Sequence, residues 1–140
     1  MSSETVTAHA WLAATLQGDA TLQSLTGSRI YRNQADEGAP TPYVVWSYQG
    51  GHHVQGVGTA RIMADLVFQV KAIGLVKQDA AALRAIADQL DAVLQGASGS
   101  TAAGAVYACV GEQPVDYEET DSGIRYWHLG ALYRLIARGA

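Results

Sequence analysis

Two adjacent histidines, His52 and His53, are the side chains best suited to chemistry in this chain. They lie in a glycine-rich segment, GGHHVQGVGTA, at residues 50–60. Imidazole is a common transition-metal ligand and a common general base. In extended backbone, however, neighbouring side chains point to opposite sides, so the pair cannot easily share one ion. The pattern therefore favours exposed histidines near a hairpin tip over a metal site or a catalytic base.

A second group of candidates is acidic and consists of Asp116, Glu118, Glu119 and Asp121. Calcium loops place oxygen ligands at fixed alternate positions with a glycine at the sharp turn, and that pattern is absent here. We interpret the group as a solvated hairpin tip whose charges repel one another. No cofactor is indicated, because the glycines at 50–58 precede a predicted strand and not a helix N-terminus that could hold a pyrophosphate.

Two further side chains are predicted to be structural. Cys109 is the only cysteine and lies in the apolar stretch AVYACVG, which predicts a buried, inert thiol. His128 lies on a predicted strand and is interpreted as a hydrogen-bonded sheet residue. The sequence has no Gly-x-Ser-x-Gly and no His-Glu-x-x-His motif. We therefore expect no catalytic, cofactor-binding or metal-binding residues, and no cofactor.

The composition indicates one domain over residues 1–140 with an apolar surplus. Hydrophobic residues make up 49% and charged residues 16%, whereas about 25% charged residues is usual. A subunit interface is one place where such a surplus can be covered. The net charge of −4 argues against a protein that grips nucleic acid phosphates. We expect neither a membrane span nor a signal peptide.

Hydrophobic periodicity predicts an α+β fold with a single mixed, mostly antiparallel sheet and with helices packed mainly on one face. The predicted order is α-α-β-β-β-α-β-β. Pro114 predicts a bend or an edge position in its strand. Residues 50–60 and 97–104 are predicted to be mobile connections. The predicted helices cover 4–17, 20–26 and 77–95, and the predicted strands cover 29–33, 42–49, 61–74, 105–118 and 123–137.

Residues 18–48 carry a family resemblance. A short helix with a Gly-Asp start leads into a strand, GDATLQSLTGSRIY, and a polar loop runs into APTPYVVW. This segment resembles the tail-completion or tail-terminator proteins of long-tailed (siphovirus-like) bacteriophages. The rest of the chain fits in element order, with a strand ending in VKAIG, the helix DAAALRAIADQLDAVLQG and a final hairpin closing with YRLIA.

The resemblance implies a non-enzymatic virion protein that forms a homo-oligomeric ring, usually of six copies, at the head-proximal end of the tail tube. Such a ring ends tube growth and joins the tail to the head connector or stopper protein. It implies assembly in the host cytoplasm, no membrane contact, and DNA that only passes through the lumen. The acidic balance agrees with that passive role, because a negative lumen does not hold DNA.

The candidate subunit or tube interface comprises both predicted hairpins. We expect the glycine-rich segment to become ordered only against a neighbouring subunit or the tube, because its glycines make ordering costly in a lone subunit. The interface residues are His52, His53, Val54, Val57, Asp116, Glu118 and Glu119.

Three alternatives stay open at this stage. One is another head–tail joint protein, such as a stopper or head-completion protein. The second is a small hydrolase that uses His52 or His53 with Asp65 or the acidic turn. The third is a module that binds a small molecule or a peptide on an aromatic sheet face.

Overall fold

The computed structural model describes residues 3–58 and 60–139. The described chain contains three helices and six strands. In chain order they are α1 Glu4–Gln17, α2 Ala20–Thr26, β1 Ile30–Arg32, β2 Tyr43–Gln55, β3 Arg61–Leu75, α3 Ala80–Leu94, β4 Gly99–Thr101, β5 Gly104–Asp121 and β6 Ile124–Gly139.

All the strands belong to one sheet in the order β1-β2-β3-β6-β5-β4. Only β1 and β2 pair in parallel, and every other pair is antiparallel. The predicted α+β fold with a mixed, mostly antiparallel sheet is confirmed. The predicted element order lacked β4. The segment 97–104 is therefore not simply a mobile connection, because β4 pairs with the first residues of β5.

The first two helices begin and end where the sequence signals predict. The Ser3 hydroxyl accepts a hydrogen bond from the Val6 amide at 3.2 Å, and Asp19 accepts one from Leu22 at 2.8 Å. These side chains satisfy amide groups that have no partner within the helix. Gly27 ends α2 in the left-handed conformation, at φ 60°. Helix α3 begins later than predicted, at Ala80.

The core lies between the helices and one face of the sheet. In β3, the alternating residues Leu66, Phe68 and Val70 are buried, as the period of two predicts. They belong to the same hydrophobic cluster as α1 and α3. The other face of β3, here called the second face, carries Asp65, Val67, Gln69, Lys71 and Ile73. No helix within the described ranges is both long and apolar enough to cross a bilayer.

Two long hairpins extend to opposite ends of the sheet. In one hairpin β2 ends at Gln55 and β3 begins at Arg61, and in the other β5 ends at Asp121 and β6 begins at Ile124. Because β3 and β6 are antiparallel, Tyr126 near the start of β6 lies opposite Leu75 at the end of β3. The β2–β3 turn and the β5–β6 turn are therefore separated by the full length of the sheet.

Candidate functional site

His52 and His53 lie near the tip of the β2–β3 hairpin. His52 pairs with Asp65 of β3, and His53 pairs with Ala64. Both imidazoles are exposed, and they lie on opposite faces of the strand because side chains alternate. The described ranges, 3–58 and 60–139, contain no group of three His, Cys, Asp or Glu side chains arranged to hold a metal ion.

The glycine-rich segment is mostly strand and not the predicted mobile connection. β2 continues through Gly50 and Gly51 to Gln55, after a register shift between Tyr48 and Gly50. A Cβ on Gly51 would overlap the carbonyl oxygen of Asp65. The glycine therefore permits a close backbone approach in a paired strand. β2 ends at Gln55 and β3 begins at Arg61, so residues 50–55 form a paired strand and not a mobile connection.

The tip of this hairpin is apolar and exposed. Val57 is fully exposed and Ile62 is largely exposed, while Val54 is half-buried. The hairpin is held to the body of the protein by the Arg61 guanidinium, whose Nε lies 2.8 Å from Glu4 Oε1 on α1. An exposed apolar tip on an anchored hairpin has the properties of a protein-contact element.

His52 and Asp65 do not form a working catalytic pair. His52 Nε2 lies 4.0 Å from Asp65 Oδ2, which exceeds hydrogen-bond distance. Both carboxylate oxygens of Asp65 accept from Arg134 Nε, at 2.7 and 2.9 Å. This contact raises the pKa of Arg134. The carboxylate is thus engaged by a permanent cation and does not orient an imidazole.

The acidic residues of the β5–β6 hairpin are exposed, as a solvated tip predicts, but three of them have partners on β6 and do not simply repel one another. Asp116 accepts a hydrogen bond from the Trp127 indole at 2.7 Å. Glu118 forms an ion pair with Arg125. These two carboxylates lie on the helix-covered face of the sheet, and Glu119 lies on the second face. The carboxylates are therefore distributed over two faces and do not converge on one cation.

His128 is a hydrogen-bonded sheet residue, as predicted. Nε2 of its buried ring lies 2.6 Å from Glu119 Oε1. The ring also stacks on the Tyr117 ring, at a centroid distance of 4.4 Å. Lys71 donates to the Tyr117 hydroxyl at 2.8 Å. Burial lowers the pKa of His128, against the opposing effect of the Glu119 hydrogen bond. The ring joins β5 to β6 beside β3.

Cys109 is fully buried in the core, as predicted. Burial is the main reason that the pKa of its thiol is raised to about 12, and the nearby Asp91 carboxylate adds to the effect. The thiol is therefore protonated at neutral pH and has no nucleophilic role.

Two unpaired strand edges are the feature that sequence reasoning did not locate. β1 covers only Val44–Trp46 of β2, which leaves residues 47–55 with no partner strand on their outer side within the described chain. On the opposite side of the sheet, β4 covers only the first residues of β5. Pro114 lies on that edge, as predicted. The sequence signal that could have located the β2 edge was the shortness of the predicted strand at 29–33, which is too short to cover a long neighbouring strand.

A groove runs along the β2 side of the molecule. It lies between α1 and the β1–β2 edge and has a volume of about 880 Å³. Its lining is mainly apolar and includes Val6, Ala10, Ala13 and Trp46, together with Arg32. The groove and the open β2 edge are therefore on the same side of the subunit.

The seven predicted interface residues fall into two sets that are far apart. His52, His53 and Val54 lie on β2, and Val57 lies at its turn; the three acidic residues lie on β5. The sheet separates these sets to opposite ends, and nothing in the geometry joins them into one site. The arrangement suits contacts with two different neighbours, and it lacks the convergence of groups that a reaction requires.

Comparison with known proteins identifies a family. A family model described as "Tail completion protein gp17" matches residues 10–133. A solved chain from the "Virion of native gene transfer agent (GTA) particle" has a TM-score of 0.68 and 19% identity, and the match covers 91% of this chain and 92% of that chain. A second solved chain has a TM-score of 0.54 and 13% identity, with 89% and 92% covered. At these identities the two structures show a shared fold. No curated protein matches significantly.

Proposed function

The chain belongs to the tail completion protein gp17 family, a family of bacteriophage tail structural proteins, and from this membership we propose a specific role. The protein forms a ring at the head-proximal end of the tail tube. The ring has six copies, the number that the family resemblance implies. It ends tube growth and joins the tail to the head connector or stopper protein.

The observation that carries this proposal is the placement of two different hairpins at opposite ends of one sheet. The β2–β3 tip presents Val57 and Ile62 as exposed apolar side chains. The β5–β6 hairpin presents carboxylates that are paired with Arg125 and His128. A joint between a tube and a connector needs contacts at two ends, and two chemically different tips provide them.

The charge of the subunit supports a passive relation to DNA. The net charge of −4 and the absence of clustered Lys and Arg do not suit a phosphate-binding surface. In the ring, DNA passes through the lumen without being gripped. The protein acts in the tail or neck of the virion, is assembled in the host cytoplasm, and has no membrane contact.

The role is non-enzymatic. The hydrolase alternative needs a carboxylate that is available to orient His52, and Arg134 occupies both oxygens of Asp65. The only cysteine is buried with a raised pKa. The solved chain at TM-score 0.68 comes from a particle described as a gene transfer agent virion, which agrees with a structural role in a phage-like particle.

Electron microscopy of particles produced without this protein tests the proposal. The expected result is tails of uncontrolled length that are not joined to heads, with both defects reversed by the wild-type protein. Tails of normal length beside heads that have lost their DNA would favour the head-completion or stopper role instead. Normal, infectious particles would contradict both roles.

A further inference from the structure

We propose that adjacent subunits of the ring meet through two uncharged surfaces, which lie at the same end of the sheet but on its two opposite sides. One surface, the β2 side, comprises residues 47–57 and the face of α1 that lines the groove. The other surface, the β4 side, comprises residues 96–111. This inference rests on the proposed ring and identifies the surfaces that build it. The occupant of each surface is a second copy of this chain.

The charged residues are distributed so that both surfaces are left without them. The two longest stretches of the sequence without Asp, Glu, Lys or Arg are residues 38–60 and 92–111, and the third longest is residues 5–18. The first stretch contains β2, the second contains β4 and the start of β5, and the third forms most of α1. Charged residues are depleted at the centre of subunit interfaces, because a charge is costly to remove from water.

Strand register places the two surfaces at the same height on the sheet. One row of paired residues crosses the whole sheet from β2 to β4 and consists of His53, Ala64, Ala137, Val106 and Gly99. A rotation about an axis along the strands keeps every residue at its height. Such a rotation therefore brings the β4 side of one copy to the β2 side of the next. The acidic part of β5, residues 112–121, lies at the other end of the sheet and does not reach this contact.

Both surfaces contain strand edges that lack the usual protection. From Ser47 to Gln55 no strand of the described chain pairs with the outer side of β2, and β4 is the last strand on the opposite side. Neither β2 nor the segment 97–104 contains a charged residue or a proline. Charges and prolines commonly protect edge strands, because unpaired backbone groups recruit other chains. A neighbouring subunit that covers both edges removes this hazard.

Exposed apolar side chains are concentrated at this end of the sheet. Among the described residues, eight large apolar side chains are exposed, and six of them belong to this end. Val6, Tyr48, Val57 and Ile62 lie on or beside the β2 side, whereas Tyr107 and Val110 lie on the β4 side. Two different patches on opposite sides of a subunit are buried by a heterologous, head-to-tail contact, which is the kind that closes a ring. A twofold contact would instead need one self-complementary patch.

Charge is complementary beside the uncharged contact. Arg32 is the only charged side chain among the described residues that line the groove. The row that joins Arg32 to Pro114 on β5 runs through Trp46, Val70 and Ala131. The same rotation therefore brings Arg32 of one copy towards Glu112 and Asp116 of the next, which flank Pro114 along β5. Opposite charges at matching heights favour this neighbour and fix the register of the contact.

Cysteine cross-linking in assembled particles tests this contact. His53 and Ser100 are exposed and lie one row apart on the two surfaces. The double variant His53→Cys/Ser100→Cys, treated with a short bis-maleimide, is expected to give a ladder of covalent oligomers that ends at the ring. The native Cys109 is buried and does not contribute.

The matched control is the double variant His53→Cys/Thr120→Cys. Thr120 is exposed and lies on β5, on the same side of the sheet as Ser100 but at its other end. At about 3.3 Å per residue, it is roughly 35 Å along the strands from the row of His53. A short cross-linker does not span that distance, so this variant is expected to stay monomeric.

The outcomes separate this inference from the proposed function. Particles with normal, joined tails in which His53→Cys/Ser100→Cys stays monomeric would overturn the contact and leave the ring intact. A ladder from the Thr120→Cys control would overturn it as well, since the opposite ends of the sheet would then meet. Dimers from His53→Cys alone would indicate a twofold contact between β2 sides, with the same consequence. Normal, infectious particles assembled without the protein would defeat the proposed function itself.

Hydrogen exchange of the wild-type protein provides a second test that does not depend on the assembly of any variant. We expect the backbone amides of residues 47–55 and 97–101 to exchange about tenfold or more slowly in assembled tails than in free subunits. The amides of α3 serve as the internal reference. Unchanged exchange in either segment would contradict the proposal.

Discussion

Asp65 on β3 and Arg134 on β6 are joined by a two-point contact across the two central strands. Arg134 Nε lies 2.7 Å from Oδ1 and 2.9 Å from Oδ2. Asp65 is only 9% exposed, whereas the Arg134 side chain is half exposed. A nearly buried carboxylate is thus neutralised by a cation that reaches it from the surface. On its other side, Asp65 is paired with His52 of β2.

Replacing Arg134 by Ala should destabilise the subunit, because the nearly buried Asp65 side chain would lose the guanidinium that hydrogen-bonds both of its oxygens. Arg134→Lys should lose less stability, since it retains a cation although not the same hydrogen-bond geometry. Urea midpoints at neutral pH measure both effects. Equal midpoints for wild type, Arg134→Lys and Arg134→Ala would show that the contact has no role in stability.

Gly51→Ala should destabilise the β2–β3 hairpin by about 1–3 kcal/mol, the usual range for inserting a methyl group where there is no space. The added Cβ would overlap the backbone of Asp65 and Leu66. Gly56→Ala is the matched control, because its nearest contact is the Ile62 side chain at 3.2 Å. Chemical denaturation of the three proteins gives the comparison, and a mobile segment at residues 50–55 would tolerate both changes equally.

The His128 ring should titrate below its ordinary pKa of 6.5, because burial disfavours the imidazolium. As the pH falls, His128 therefore becomes protonated in the unfolded chain before it does so in the folded protein. The stability contributed by the neutral buried ring is therefore complete above about pH 6.5 and decreases below it, down to the lower pKa of the folded state. NMR titration of the ring measures the pKa directly.

Glu119→Gln provides the matched variant for that titration. The Glu119 hydrogen bond and charge raise the pKa of His128 and so partly offset burial. Removing the charge should lower the midpoint of the ring further. A midpoint that rises or does not move in Glu119→Gln would show that the contact at 2.6 Å does not control the ring.

Cys109 should not react with a thiol reagent in the folded protein at pH 8, since its thiol is buried and its pKa is raised to about 12. In urea the same thiol should react completely and quickly. The rate of reaction with Ellman's reagent, with and without denaturant, measures the difference. Rapid labelling of the folded subunit would place this residue at the surface and contradict the packing of β5 on the core.

Val57→Asp should leave the fold intact and reduce incorporation into particles. The wild-type side chain is fully exposed, so its replacement should change the free energy of unfolding by less than about 0.5 kcal/mol. The charge would oppose burial of the hairpin tip against another protein. Complementation of particles that lack the protein gives the readout, with Ala85→Asp on α3 as the control for an added surface charge.

The sequence alone determined the elements whose signals are local. Ser3, Asp19 and Gly27 mark helix ends through hydrogen bonds and backbone conformations within a few residues. The alternation through Phe68 identifies a half-buried strand, and the apolar surroundings of Cys109 indicate its burial. Each of these signals depends on a nearest-neighbour effect, so it is readable without the fold. The family resemblance at residues 18–48 also depends on such local turn and packing residues.

Only the tertiary structure decided which distant residues meet. Gly50 and Gly51 belong to a paired strand because the backbone of Asp65 approaches them, and nothing in their own sequence distinguishes that from a flexible loop. The carboxylates at 116–119 are paired because the antiparallel register of β5 and β6 places Trp127, Arg125 and His128 beside them. The two open edges and the opposite directions of the hairpins arise from strand order, which is fixed by long-range pairing and by the packing of the helices on the sheet.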